Sequence, residues 1–229
     1  MKKIFALICV FLCLIGIIVW QLLADSSGYY LISIAVLILS MLPFFFSFEY
    51  RKPDARELSL LASLIAIAVV SRAVFYLIPQ VKPIGAVVIV SAVCLGAERG
   101  YLVGAFSAFI SNFIFGQGIW TPFQMVALGL VGFAAGLIFN KLRAKKISLA
   151  LIGFVLTFLL YSIIVDLSSV LMLAGDFSLQ SMLAVYGAGI PFNLVFGITT
   201  AVFLYLFGEQ FIKKIERIQT KYGIGVAYE

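Results

Sequence analysis

Long apolar runs, each bounded by polar or charged residues, are the feature that most constrains how this chain can fold. Most of them are about 20 residues long, enough for a helix to cross a hydrocarbon layer of about 30 Å. The runs are continuous rather than alternating, and backbone groups in a membrane must bond within a helix or a closed barrel, so helices are indicated. With 64% hydrophobic and 11% charged residues, the chain has too little polar surface to cover a soluble core. We predict an all-α membrane protein, a compact polytopic helical bundle.

The predicted spans follow these runs along the chain. They cover Ile4–Leu23, Tyr29–Phe48, Leu58–Ile78, Ile84–Ala97, Gly100–Phe115, Thr121–Asn140, Ile147–Leu173 and Ser181–Phe207. The fourth and fifth spans are short, and we expect them to form a tight hairpin whose link holds Glu98 and Arg99. The first run resembles a signal peptide after MKK, but its length and the lack of a small-x-small cleavage site favour a retained helix.

The distribution of Lys and Arg predicts the orientation, because short cytoplasmic loops collect basic residues. With the N-terminus inside, the cytoplasmic segments hold most of the 16 basic residues. These are Lys2, Lys3, Arg51, Lys52, Arg56, Arg99, Lys141, Arg143, Lys145, Lys146, Lys213, Lys214, Arg217 and Lys221. Both termini are therefore predicted to be cytoplasmic. The net charge of +6 is explained by topology, and the scattered basic residues form no nucleic-acid patch.

Residues that could support catalysis are scarce in this sequence. The chain has no histidine, the usual general base and a common metal ligand. It has no phosphate-binding loop of the G-x-x-x-x-G-K-[ST] type, and Cys9, Cys13 and Cys94 lie within apolar runs. We therefore expect a non-catalytic protein with no metal site and no cofactor of its own.

Polar residues within the spans gather at one depth. Given the predicted orientation and a rise of 1.5 Å per residue, they lie in the outer half of the membrane. The set is Arg72, Tyr76, Asn112, Gln124, Ser162, Asp166, Ser169, Tyr186 and Asn193. Polar groups at such depth usually face a bundle interior or a wet cavity. We predict a pocket open to the outside; the alternative is that each group bonds a neighbouring helix.

Arg72 and Asp166 are the acid and base that fall well inside predicted spans, at similar depth. A desolvated charge without a partner costs several kcal/mol. A structural ion pair between them is the favoured interpretation, and a role for one of them in holding a ligand is the alternative.

The stretch FGQGIWTPFQMVALG, which begins at Phe115, interrupts the apolar sequence at the predicted outer surface. Two glycines allow a tight turn. Thr121, Pro122 and Gln124 are predicted as N-cap, N1 and N3 of a capping box, and Trp120 suits the interfacial belt. Gln117, Trp120 and Gln124 are then expected at the mouth of the pocket.

Small residues recur at four-residue spacing in the predicted inner half, where they let helices approach closely. The sets are Ala62 with Ala66, Gly100 with Gly104 and Ala108, and Gly132 with Gly136. Packing within the bundle is the default interpretation, and contact with a partner subunit is the alternative.

Three stretches carry a resemblance to a known family: LASLIAIAVVSR, LGAERGYLVGAFSAFISNFIFG and GIWTPFQMVALGLVGFAAGLIF. From about Leu58 onward the chain resembles the substrate-binding S component of energy-coupling factor (ECF) transporters, importers related to ABC transporters. The resemblance implies a six-helix substrate-binding domain over residues 57–229. The preceding residues 1–56, with two spans and a basic loop, lie outside that core.

The resemblance also implies partners and sites. Ala62 and Ala66 match the alanine motif that docks on the transmembrane coupling subunit EcfT, while two cytoplasmic ATPases bind ATP and Mg²⁺. The location implied is a bacterial cell membrane. The implied ligand site is the outer half, and the candidate substrate-binding residues are Asn112, Gln117, Trp120, Gln124, Asp166, Ser169, Tyr186 and Asn193.

Transporters of this family import vitamins, and the sequence constrains the identity of the vitamin less. The sequence looks most like members assigned to cobalamin, and a pocket of neutral amides, tyrosine and apolar groups suits an amide-rich corrinoid; other vitamins or modified-base precursors remain open. A structural membrane protein of the MreD type is the alternative from another class. Such a protein would not need a polar cluster on the outer side.

Overall fold

The computed structural model describes residues 54–118, 120–173 and 178–224, together with residues 38, 39, 41, 42 and 46. The first predicted span and most of the second therefore lie outside the described residues, as do Cys9 and Cys13. The five described residues of the second span are helical, as predicted.

Every regular element in the described part of the chain is a helix, which confirms the predicted all-α class. In chain order the helices are α1 (Ala55–Val74), α2 (Ile84–Leu95), α3 (Ala97–Phe115), α4 (Trp120–Phe139), α5 (Lys146–Val155), α6 (Ser162–Leu173), α7 (Leu179–Phe203) and α8 (Glu209–Tyr222). Short π-helical segments join α5 to α6 over Leu156–Tyr161 and α7 to α8 over Leu204–Gly208.

Four helical stretches among the described residues are long and apolar enough to cross a membrane: Ala55–Val74, Trp120–Phe139, Lys146–Leu171 and Leu179–Tyr222. The apolar helix Ile84–Leu95 is shorter, and with the 19-residue α3 the described part of the bundle has six helical stretches. We name the two ends of the bundle after the predicted orientation. The outer end holds the end of α1 and the starts of α2, α4 and α7, and the inner end holds the start of α1 and the end of α2.

The predicted hairpin between the fourth and fifth spans is present, but its turn is tighter than expected. Gly96 alone separates α2 from α3 and has a φ of 91°, a conformation that favours glycine. Glu98 and Arg99, expected in the link, lie in the first turn of α3. The reversal at a single glycine packs α2 directly along α3.

Glycines bring α3 and α4 into close contact. A Cβ added at Gly104 would clash with the backbone of Leu128, and one added at Gly132 would clash with the backbone of Gly100. A Cβ at Gly136 would lie 2.5 Å from the Cα of Ala97. The expected packing within the bundle is thereby confirmed for these glycines, whose backbones form the helix–helix contact itself.

The α7–α8 rod continues past the last predicted span, and α8 turns amphipathic. Ile212 and Ile215 are buried, whereas Lys213, Lys214 and Arg217 are exposed. Along its length α8 contacts three other helices: Glu209 accepts a hydrogen bond from the backbone N–H of Lys146, the Gln219 amide donates to the carbonyl of Cys94, and Arg56 donates to the carbonyl of Tyr222. This helix therefore ties the inner ends of α5, α2 and α1 together.

Candidate functional site

A network of hydrogen bonds around Asn112 occupies the outer end of the bundle. Arg72, in the last turn of α1, donates from Nη1 to Ser111 Oγ at 2.6 Å and to Asn112 Oδ1 at 2.9 Å on α3. The amide nitrogen of Asn112 donates in turn to Thr121 Oγ1 at 3.1 Å and to Gln124 Oε1 at 2.9 Å on α4. Asn112 is 1% exposed, so one side chain joins three helices through bonds shielded from water.

The turn between α3 and α4 corrects the predicted helix cap. α4 begins at Trp120, so Thr121 lies one residue inside the helix. Its hydroxyl accepts from the backbone N–H of Gly118 at 3.2 Å and donates to Gln117 Oε1 at 3.0 Å, instead of capping the N–H of Gln124. Gln124 likewise bonds Asn112 and does not close a capping box. The capping-box prediction was therefore wrong, because tertiary partners on α3 take these side chains.

Gln117 and Trp120 both contact their own turn. Gln117 is exposed, and its amide nitrogen donates to the carbonyl of Phe109 at 3.1 Å. The Trp120 ring lies over Gly118, where an added Cβ would meet it at 2.5 Å or less. Gly116 has a φ of 102°, as expected of a glycine in a tight turn. The turn is thus held by side chains that were predicted as ligand contacts.

A second polar contact joins α6 to α7. Asn193 donates from Nδ2 to Asp166 Oδ2 at 2.7 Å, and both residues are partly buried. Gly189 makes room for this pair, since a Cβ there would lie 2.8 Å from Asp166 Oδ2. Tyr186, two turns before Asn193 on α7, donates its hydroxyl to the carbonyl of Ile163 at 2.8 Å.

Ser162 and Ser169 on α6, both predicted to face a pocket, have different surroundings in the structure. Ser162 is buried and donates to the carbonyl of Thr157 in the π-helical segment that precedes α6, and not to a neighbouring helix. Ser169 is partly exposed on α6. The structure thus places Asp166, Asn193 and Tyr186 in one contact region, whereas Ser162 serves its own helix.

The favoured ion pair between Arg72 and Asp166 is not formed. Arg72 bonds two neutral side chains and places its guanidinium carbon 4.3 Å from the centre of the Phe115 ring. Asp166 bonds Asn193. The prediction was wrong because similar depth on two helices does not bring two side chains together; their faces also have to meet.

The sequence reasoning missed three residues between these two regions. Tyr161 ends the π-helical segment, and its ring lies 4.8 Å from that of Phe196, centre to centre. Its phenol interacts electrostatically with both Arg72 and Asp166. The ammonium of Lys82, in the connection between α1 and α2, lies 5.8 Å from the centre of the Phe196 ring. A π-helical turn leaves no residue pattern to read, but Pro79 and Pro83 around Lys82 do mark a constrained loop.

Lys82 stands out electrostatically within this region. Burial, with a smaller contribution from the positive charge of Arg72, lowers the pKa of Lys82 to about 8. Arg72 and Lys82 therefore bring two positive charges to the outer end, each beside an aromatic ring.

The inner end carries the predicted docking residues on α1. Ala62 and Ala66 are exposed on the face opposite the buried residues Leu61 and Leu64. One turn below, Glu57 pairs with Arg99 at the start of α3, which fixes α1 against the α2–α3 hairpin.

The described residues contain no group of three or more acidic, cysteine or histidine side chains suited to a metal ion.

Comparison with known proteins identifies the fold and role. The family model described as "ECF-type riboflavin transporter, S component" matches residues 52–214, most of the 229-residue chain. No curated protein and no solved structure matches significantly. The match covers all the helices that build the outer polar network and the exposed alanine pair, and it decides against the MreD-type alternative. This chain is a multi-pass membrane protein that belongs to the family of ECF-type riboflavin transporter S components, the vitamin-capture subunits of ECF transporters.

Proposed function

We propose that this protein captures riboflavin at the outer end of its helical bundle and delivers it to an ATP-driven coupling module. The family match over residues 52–214 carries this proposal. The vitamin is bound non-covalently, and the chemistry of ATP hydrolysis belongs to the partner subunits.

The chemistry of the outer end supports a flavin over the cobalamin that the sequence favoured. The amides of Asn112 and Gln124, which the sequence offered as partners for a corrinoid, bond each other. What the outer end offers instead is aromatic faces and positive charge, with Phe115 beside Arg72 and Phe196 beside Lys82. A planar flavin ring with carbonyl acceptors matches that combination.

We place the ligand between two groups of candidate residues. One is the α3–α4 turn with Gln117 and Trp120, together with the network of Asn112 and Gln124. The other is the α6–α7 contact, which contains Asp166, Ser169, Tyr186 and Asn193. Tyr161 and Phe196 lie between them and, being buried, would form the floor of the site.

The exposed pair of Ala62 and Ala66 is proposed to dock on the coupling subunit EcfT. Small side chains on a lipid-facing helix let a partner helix approach closely. Two cytoplasmic ATPases would complete the complex, with both termini of this chain on their side of a bacterial cell membrane. The basic residues at the inner end agree with that orientation.

A binding experiment tests the choice of vitamin directly. The full chain, purified in nanodiscs, is titrated by calorimetry with riboflavin, cobalamin, thiamin and biotin. Tight binding of riboflavin alone supports the proposal, whereas tight binding of cobalamin and a red protein after growth with it would replace riboflavin by cobalamin. Copurification with a coupling subunit and two ATPases tests the delivery step separately.

A further inference from the structure

Two positive charges at the outer end have no acidic partner in the described part of the chain. The Arg72 guanidinium bonds the hydroxyl of Ser111 and the amide oxygen of Asn112, both neutral. The Lys82 ammonium rests against the Phe196 ring without an ion pair. The ion pair found among the described residues, Glu57–Arg99, lies at the opposite end of the bundle.

The charge on Lys82 is unfavourable in the ligand-free protein. Burial is the main reason that its pKa falls to about 8, and repulsion from Arg72 adds to the effect. Other titratable groups on the surrounding helices are Tyr161, Asp166 and Tyr186. Asp166 is held by Asn193 on α7 and does not pair with Lys82. An oxygen acceptor placed against Lys82 would therefore relieve an existing electrostatic cost.

Aromatic rings line the same place. Phe196 lies beneath Lys82 and packs against Tyr161, with ring centres 4.8 Å apart. Phe115 lies beside Arg72 and packs against Tyr76, with ring centres 5.3 Å apart. Phe196 and Tyr161 are buried, so they form the floor of this region, and the adjacent cations are suited to an electron-rich oxygen at the edge of a planar ligand.

We propose that Lys82 is a ligand-binding residue whose ammonium donates to an oxygen acceptor of the vitamin, with Arg72 adding positive potential behind it. The inference rests on the proposed function, because it assigns a contact in that same site. The acceptor is a carbonyl of the flavin ring or, in the mononucleotide, the phosphate at the end of the ribityl chain. Binding then requires Lys82 to be protonated, so affinity falls as pH rises through the pKa of this lysine.

Riboflavin binding by the full chain in nanodiscs, followed through quenching of flavin fluorescence, tests the role of Lys82. For the wild type we expect Kd to rise about tenfold between pH 7 and pH 9, as a single required proton is lost. Lys82→Met should bind about tenfold more weakly at pH 7, because it lacks the ammonium donor. Its Kd should not rise between pH 7 and pH 9, because the methionine side chain has no titratable group. Lys82→Arg should bind riboflavin as tightly at pH 9 as at pH 7. Lys221→Met, on the exposed face of α8, is the matched control and should behave as the wild type.

Flavin mononucleotide separates the two acceptors. Tighter binding of the mononucleotide than of riboflavin, lost in Lys82→Met, assigns the contact to the phosphate. Equal affinity for both, weakened equally by the substitution, assigns it to the ring. Calorimetry at pH 8.5 in two buffers of different ionisation enthalpy supplies an independent readout, since binding should take up protons in the wild type but not in Lys82→Met.

The two proposals fail in different ways. A Lys82→Met variant with wild-type affinity and pH profile overturns the role of Lys82 while riboflavin capture stands. A wild type that binds another vitamin of the panel overturns riboflavin, and the same variants are then compared with that vitamin. A folded wild type that binds none of the panel overturns both.

Discussion

Asn112 on α3 accepts a hydrogen bond from Arg72 on α1 at 2.9 Å and donates one to Gln124 on α4 at 2.9 Å. The side chain is thus a buried junction of three helices at the outer end. For Asn112 the structure therefore shows the alternative interpretation, a polar group that bonds neighbouring helices. The ligand contacts proposed nearby depend on this junction, because it positions both Arg72 and the start of α4.

Replacing Asn112 should therefore destabilise the bundle. Asn112→Ala removes partners from Arg72, Thr121 and Gln124, and leaving buried polar groups unsatisfied costs about 1–3 kcal/mol. Thermal unfolding of the purified protein in detergent measures the loss. Asn140→Ala, an exposed asparagine after α4, is the control and should change the unfolding temperature little. Equal effects of the two substitutions would contradict the structural role.

The contact between α3 and α4 should not tolerate a methyl group. Gly104→Ala places a Cβ against the backbone of Leu128, which cannot move aside without separating the helices. We expect a loss of at least about 1–3 kcal/mol, typical of overpacking, and a lower yield of folded protein. Gly187→Ala in α7 has open space around its Cβ and should be neutral. Unfolding temperatures of the two variants, compared side by side, check the prediction.

Gln117 and Trp120 connect the turn to the proposed ligand. Gln117→Ala and Trp120→Ala should weaken vitamin uptake while the amount of protein in the membrane stays unchanged, if these residues contact the ligand. Uptake of labelled riboflavin by whole cells and immunoblots of the membranes measure the two quantities. Loss of the protein itself would instead assign both residues to holding the turn over Phe109 and Gly118.

The exposed alanines should control assembly and not capture. Ala62→Leu with Ala66→Leu adds bulk where a partner helix is proposed to pack, so the coupling subunit should no longer copurify while riboflavin binding persists. Ala188→Leu, an exposed alanine on α7, makes the same chemical change elsewhere and should leave the complex intact. Retention of the complex by the α1 double variant would remove the docking proposal.

The low pKa of Lys82 predicts the pH dependence of stability. Between pH 8 and the ordinary pKa of lysine the unfolded chain holds the proton and the folded protein does not, so this residue makes the folded state more stable as pH rises. Ligand-free Lys82→Met should lack this rise and unfold at a higher temperature than the wild type at pH 7. Unfolding curves at pH 7 and pH 9.5 provide the test, and parallel behaviour of the two proteins would contradict it.

The membrane class and the helices of the bundle could be predicted because each depends on local composition: an apolar run of sufficient length is a helix in a membrane whatever its neighbours. The spacing of Gly100 and Gly104 likewise predicted close packing, since helical periodicity alone puts both on one face. Counting residues along the helices also placed Arg72, Asn112 and Gln124 at the same end of the bundle, where they bond each other.

Only the tertiary structure decided which of these faces meet. Arg72 and Asp166 share a depth, yet Arg72 faces α3 and Asp166 faces α7, so the expected ion pair does not form. The local sequence predicted Thr121 and Gln124 as a helix cap. In the structure Thr121 bonds Gln117 across the turn and Gln124 bonds Asn112, because those partners lie within reach. The sequence did not indicate a binding role for Lys82, because its position against Phe196 and near Arg72 depends on the fold. Helix length and depth are properties of the chain, whereas the rotation of each helix about its axis is set by packing against the others, and that rotation determines the partners of every polar side chain.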